Sequence, residues 1–484
     1  MKTVSLFAAA LSAVSAPALG EPLAAADSQQ VLANVVANER AIGDTALQIW
    51  NYAEVGYKET QSTALLQSRL KAAGFTVRAG VAGEPTAFVA SFKSGDGPVI
   101  GVLAEYDALP GLSQLAQPTR APGTGPAGHG CGHNLFGAAS TYAAIAVKEW
   151  MVKNKVAGEI RVYGTPAEEG GSGKVYMVRA GLFNDVDTVL HWHPGNANSA
   201  VQGPSMANIS GKFRFHGKSA HAAGNPDKGR SALDGVEAMD AMTNLMREHI
   251  PDRTRIHYVI TKGGKAPNVV PDEAEVYYYV RHTDPQIVKD TWQWVTQAAQ
   301  GAALGTQTKV DWEITGGVYS LLPNAALMAV MDRSLHTAGT ISWTPEEKAF
   351  ATTLQKSMTN PPSIDSVGTI VPAVIADDAL GGSTDVADVS WTTPTVGLST
   401  ATFIPGSAGH SWQNVAAAGS SIGVKGAVLA AKTLALTAAD LFRNPATIAA
   451  AKQEFAAKRG ANFKYQAMLG DRQPPLDYRD AAGS

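Results

Sequence analysis

Cysteine is almost missing from this chain: Cys131 is the single thiol among 484 residues. One thiol cannot close an internal disulfide, so no disulfide framework carries the fold. Charge is sparse too, at 17% of residues, and the formal net charge is -3. Without a basic excess, a nucleic-acid partner is excluded. No apolar run after the N-terminus approaches the length of a membrane span. Hydrophobic residues make up 45% of the chain, which is enough for two or more domains with sizeable cores and carries no signature of disorder.

The N-terminus has the layout of a targeting segment. Lys2 supplies a short basic region, residues 4–14 an apolar region, and the small residues Ala16, Ala18 and Gly20 a cleavage site. The expectation is an exported protein, periplasmic or extracellular. A free thiol in such an oxidising compartment is exposed to damage unless it is buried or bound to a metal.

That thiol sits in the stretch Gly-His-Gly-Cys-Gly-His-Asn, residues 128–134, which opens an apolar run at 135–150 with helical character. Cys131 and His133, two residues apart at a strand-to-helix corner, can both turn towards one divalent ion. The same stretch also fits a glycine-rich turn around a buried thiol, so further ligands elsewhere must decide.

Helices are expected at 33–57 and 61–73, and short strands at 75–81 and 87–92. An apolar strand at 98–105 ends in Glu105-Tyr106-Asp107. A strand at 159–163 runs into Glu168-Glu169, and one at 187–190 into His191-Trp192-His193. Polar groups at three successive strand ends are the mark of an α/β sheet carrying a site at its carboxyl edge. Glu168 and Glu169 repel each other unless a cation sits beside them, although a solvated acidic turn is the alternative. From about residue 207 the order becomes strand (208–216), helix (231–249), strand (255–263), strand (273–281), helix (286–304) and strand (309–314). That is the ferredoxin-like β-α-β-β-α-β unit, inserted as a domain of its own. The expected organisation is a catalytic domain at 21–206 and 317–484, interrupted by a lid at 207–316. Polar glycine-rich stretches follow at 381–385 and 406–412, then a long helix at 420–442, and the polar tail after residue 460 is expected at the periphery.

Motifs at 104–110, 130–134, 166–170, 192–195, 220–223, 229–234, 267–270 and 383–391 occur in a fixed order that resembles the M20 family of metallopeptidases and amidohydrolases, in its aminoacylase and auxin-conjugate hydrolase branch. The resemblance implies two divalent ions per subunit, Mn2+ or Zn2+, held by Cys131, His133, Glu169, His193 and His410. One thiolate, one carboxylate and three imidazoles suit those metals. It implies that Glu168 is the general base and later the acid towards the leaving amine, and that Asp107 orients a ligand imidazole. His129 and His191 flank the proposed ligands but fall off the family positions. Glu105 stands where peptidase branches place a ligand histidine, which leaves its role open. In the lid, the resemblance implies that His221 supports the oxyanion and that Asn268 and Arg281 hold the substrate carboxylate. Without the family context, Arg281 reads better as a surface strand arginine.

The expected activity is cleavage of the amide bond of N-acyl or N-aroyl amino acids, releasing a free amino acid. The alternatives are a dipeptidase or carboxypeptidase on the same scaffold, or a catalytically silent partner subunit. The expected partners are a small-molecule substrate and a second copy, in a homodimer formed through the lid.

Overall fold

The computed structural model describes residues 20–379 and 381–480, so the expected targeting segment lies outside the described residues except for Gly20. The larger sheet has eight strands in the order Thr76–Ala79, Phe88–Lys93, Glu159–Gly164, Val99–Ala104, Thr188–Gly195, Thr395–Ala401, Asn198–Ser199 and Ile370–Val371. Its four central strands, Glu159–Gly164 to Thr395–Ala401 in that order, run parallel. Thr76–Ala79 and Phe88–Lys93 add an antiparallel edge. Val99–Ala104 is buried along almost its whole length, as a parallel strand covered on both faces must be.

Helices His133–Asn154 and Ser421–Arg443 pack against each other and against this sheet, with Ala25–Ala37 and Glu39–Tyr52 beside them. Against the expectation that no apolar run approaches a membrane span, Ser421–Arg443 is long and apolar enough to cross a membrane, but 83% of its apolar window is buried inside the protein. It is the core helix of this domain, which is why it is hydrophobic all round. The helix expected at 33–57 is two helices. They break at Asn38, whose Nδ2 donates to Asn34 O at 2.9 Å and whose backbone leaves the helical region.

The second sheet is antiparallel, in the order Arg255–Lys262, Glu273–His282, Ala207–His216 and Lys309–Val318. Its chain order with helices Ala232–Met246 and Pro285–Thr306 is the ferredoxin-like order expected from the sequence. Glu273–His282 shows the cause: Ala274, Val276, Tyr278, Val280 and His282 are buried in strict alternation, which turns one face onto the helices. Ser231 Oγ accepts from Asp234 N, and Asp284 Oδ1 from Gln286 N, which caps both helices. Beyond residue 460 the chain departs from the peripheral course expected of it. Met468 and Leu469 are only 5% and 3% exposed, and Met468 belongs to the core of the second sheet.

Candidate active site

Each of the four central parallel strands delivers side chains at or just beyond its carboxyl end. Val99–Ala104 leads into Glu105 and Asp107, and Glu159–Gly164 into Glu168 and Glu169. Thr188–Gly195 carries His191 and His193, and Thr395–Ala401 leads towards His410. Gly132, at φ 75°, ends the glycine-rich turn and begins helix His133–Asn154, so Cys131 and His133 flank the helix start. Only glycine takes that backbone conformation without strain.

The five proposed ligands come together. Cys131 Sγ lies 3.4 Å from His193 Nε2, and Glu169 Oε1 lies 3.2 Å from His410 Nε2. Three groups of donor atoms converge, Cys131–His133–His193, Cys131–Glu169–His410 and His133–Glu168–Glu169, each within 4.8 Å. The tautomers suit ligation. His133 Nδ1 donates to Asp107 Oδ1 at 2.8 Å and His193 Nδ1 donates to Pro194 O at 2.8 Å, which leaves each Nε2 with its lone pair facing the cluster. His133 Nε2 and Glu169 Oε1 are buried, and although Glu105 Oε2 and His410 Nε2 lie 3.1 and 3.2 Å away neither contact has hydrogen-bond geometry, as for atoms that share a cation. Burial pushes the Cys131 thiol up and His193 down to about 4, so neutral His193 is a ready donor and a thiolate requires a nearby cation. The residues present fit divalent metal ions.

Burial, together with the carboxylates of Glu105, Glu169 and Asp385, pushes Glu168 well above the usual carboxylate range. Asp107 stays below its ordinary value because His133 outweighs the cost of burial. Its other oxygen accepts from Glu169 N at 2.9 Å, so one carboxylate fixes both the His133 ring and the Glu168–Glu169 turn. His129 does not join the cluster: its Nε2 lies 3.0 Å from Ile49 O. His191 lines the cleft beside it.

Glu105 gains a role that its sequence position left open. Its Oε2 is 3.1 Å from His133 Nε2 and its Oε1 is 2.8 Å from Lys174 Nζ. Lys174 is completely buried and its ammonium also reaches Asp385 Oδ1 at 2.7 Å. Burial disfavours that charge, but Asp385, Glu105 and Glu168 together raise the ammonium above its ordinary pKa. Sequence reasoning missed Lys174. The available signal was a cation in the first turn of the largely apolar helix Gly173–Arg179, only five residues after Glu169.

A cleft of about 1010 Å³ opens over this cluster, lined by Cys131, Glu168, Glu169, His193 and His410. Its apolar wall includes Phe136, Leu321, Leu398 and Phe403, and Arg281 from the second sheet stands in the same cleft. The guanidinium of Arg281 lies 5.0 Å from the Tyr279 ring centre, and its Nε is buried without a partner. Asn268 and His221 are not brought there. Both are exposed, on loops of the second domain tied together by Ala222 N donating to Asn268 O at 3.0 Å. His221 Nδ1 accepts from Ala223 N and Gly224 N, which points its Nε2 away from its own loop.

A family description, the peptidase dimerisation domain of the M20 group, matches residues 206–306. The chain is 42% identical over 448 residues to one of the subunits of p-aminobenzoyl-glutamate hydrolase from Escherichia coli, covering 87% of this chain and 93% of that one. It is 30% identical over 433 residues to the Xaa-Arg dipeptidase of Mus musculus, covering 86% and 89%. A Bacillus subtilis protein, described as a dinuclear metal-binding peptidase, shares the fold with TM-score 0.56 at 16% identity, covering 84% of this chain and 99% of that one. With the strand-end cluster in place, the 42% identity over nearly the whole relative identifies this chain as a member of the M20 family of metallopeptidases and amidohydrolases.

Proposed function

We propose that this chain hydrolyses the amide bond between an acyl or aroyl group and an amino acid with a free α-carboxylate, with p-aminobenzoyl-glutamate as the type of substrate. The observation that carries the reading is the placement of Glu168 beside five convergent ligand side chains, in one cleft with Arg281 and an apolar wall. Cys131, His133, Glu169, His193 and His410 would hold two divalent ions, Mn2+ or Zn2+. When bound, such ions polarise a carbonyl and favour ionisation of water. Glu168 takes a proton from the attacking water as the C–O bond forms, then gives it to the leaving nitrogen as the C–N bond breaks. Asp107 keeps His133 in its ligand tautomer, and Arg281 clamps the α-carboxylate.

A dipeptidase that selects arginine needs a spare carboxylate in its cleft. Among the described residues the cleft offers only Glu168 and Glu169, both already assigned, while its remaining wall is largely apolar. That favours an aroyl or acyl group over a cationic side chain. Purified protein supplied with Mn2+ or Zn2+ should cleave N-aroyl glutamates and spare the same compounds amidated at the α-carboxylate. Turnover of Xaa-Arg dipeptides alone would overturn the reading, and no turnover of any amide would favour a silent partner subunit.

The site is completed by a second copy. His221 and Asn268 are exposed and absent from their own cleft, and strand Arg255–Lys262 leaves one sheet edge open with Val259 and Ile260 exposed. Asn244 Nδ2 to Tyr258 Oη ties helix Ala232–Met246, with exposed Met242 and Leu245, to that edge. Glu168→Gln and His221→Ala proteins, each inactive, should regain roughly a quarter of wild-type activity after subunit exchange, since half the dimers are hybrids with one sound site. A mixture that stays inactive once mass spectrometry confirms exchange would refute the shared site. Export is part of the same proposal, supported by the residue pattern at 1–20, and a full-length N-terminus on protein recovered from cells would contradict it.

A further inference from the structure

One helix-type hydrogen bond, Gly171 N to Ala167 O at 3.0 Å, spans the catalytic turn around Glu168–Glu169 and leaves the Ala167 and Glu169 amides and the Glu169 carbonyl outside it. Ala167 has φ 55° and Gly170 φ 90°, and Glu169 itself has ψ 68°, outside the helical region. Side chains from elsewhere hold its backbone instead. Ala167 N donates to Glu59 Oε1 at 2.9 Å, Glu169 N to Asp107 Oδ2, and Tyr57 Oη to Gly171 O at 2.9 Å. The carbonyl of Glu169 is taken by the end of the chain, where Tyr478 Oη donates at 2.9 Å and Arg479 Nη2 also donates.

The path of that tail shows how it arrives there. Tyr465 Oη donates to Asp388 Oδ1 at 2.6 Å, and Phe463 packs on Trp391 with ring centres 4.8 Å apart and planes tilted by 37°. Met468 and Leu469 then lie against Gly317, at the end of the lid strand Lys309–Val318, where a Cβ would come within 2.8 Å of Leu469 N. Arg179 Nη1 donates to Gly470 O and Arg472 O, and Arg472 Nη1 donates to Ile314 O of the same lid strand. Lys58 pairs with Asp480 at 2.9 Å where the described chain ends. Gly56 makes room for Tyr478, since a Cβ there would sit 2.2 Å from its hydroxyl. The lid and the catalytic domain each keep a glycine where the tail crosses.

We propose that residues 460–480 form a strap whose tip, Tyr478 and Arg479, positions the Glu169 carboxylate for metal binding by fixing the Glu169 carbonyl. The proposal rests on the reading of Glu169 as a ligand. A carbonyl held by a phenol and a guanidinium cannot swing about the non-helical backbone at Glu169, so the side chain departs from a fixed point. Partners that orient ligands typically matter by about 10–100-fold in metal affinity.

The test is competition with a chelator for Mn2+ and for Zn2+, using the full chain as wild type, Tyr478→Phe/Arg479→Ala, Tyr478→Phe/Arg479→Lys and Glu169→Gln. The first double variant should bind metal roughly 10–100-fold more weakly. Lysine at 479 should recover much of the loss, since it can still donate to the carbonyl. Metal-free melting temperatures of the two double variants should agree within about 2 °C. If Glu169→Gln binds metal as the wild type does, the ligand reading fails and takes this proposal with it. If Glu169→Gln loses metal while Tyr478→Phe/Arg479→Ala binds normally, the strap proposal alone is overturned. A metal-free double variant that melts far below wild type, with no recovery by lysine, would assign the strap to stability and overturn its positioning role.

Discussion

Replacing Lys174 by methionine removes the ammonium that bridges two buried carboxylates while keeping a side chain of similar length. Its ammonium is 2.8 Å from Glu105 Oε1 and 2.7 Å from Asp385 Oδ1, and all three side chains are buried. At an effective dielectric of about 20, each contact is worth roughly 6 kcal/mol of gross attraction. Desolvation of three charges offsets most of that, but a lone buried carboxylate keeps the desolvation cost without its partner. The net loss on breaking such a pair is about 3–5 kcal/mol, so the melting temperature of metal-free protein should fall by about 3–7 °C. Lys174→Met/Glu105→Gln/Asp385→Asn, which removes all three charges together, should regain most of the loss. Calorimetry on metal-free protein in one buffer reads both values. A single variant that melts within about 1 °C of wild type, or a triple variant no better than the single, would refute the reasoning.

Arg281→Ala should lower kcat/KM by about 2–4 kcal/mol, or roughly 30- to 800-fold, for substrates with a free α-carboxylate. Amidated substrates should lose nothing further, and an equal loss on both would place Arg281 outside carboxylate recognition. Burial raises Asp388 to about 7, although Tyr465 and the Tyr319 amide pull it back. The folded state therefore holds that proton where the unfolded chain, at about 3.9, has released it, so stability from this group falls as pH rises through about 4 to 7. Asp388→Asn should raise the melting temperature at pH 8 and change it little at pH 4. An equal effect at both pH values would contradict the assignment.

The parallel sheet was legible because buried strands such as Val99–Ala104 are short apolar runs that end abruptly in acids or imidazoles. The lid was legible from the β-α-β-β-α-β order of its predicted elements, and the alternate burial along Glu273–His282 is the packing behind it. Two-residue strands such as Asn198–Ser199 and Ile370–Val371 carry no such period, so they do not show in the sequence. The candidate cluster could be read because the family resemblance picks Cys131, His133, His193 and His410 out of one cysteine and eleven histidines. Lys174 could not be read that way, since its partner Asp385 lies 211 residues away and only the fold joins them. The strap was misjudged for a related reason. Its residues pack singly, Tyr465, Met468 and Tyr478 each at a different place, and a polar average over the segment hides them.

The division of labour between Glu168 and its neighbour Glu169 is the centre of the account, and metal content and turnover measured on the same protein samples test it most directly. Glu168→Gln should keep its metal and lose most of its rate, because only proton transfer is removed. Glu169→Gln should lose metal as well as rate. Metal lost from Glu168→Gln and kept by Glu169→Gln, or full turnover by either variant, would contradict the assignment.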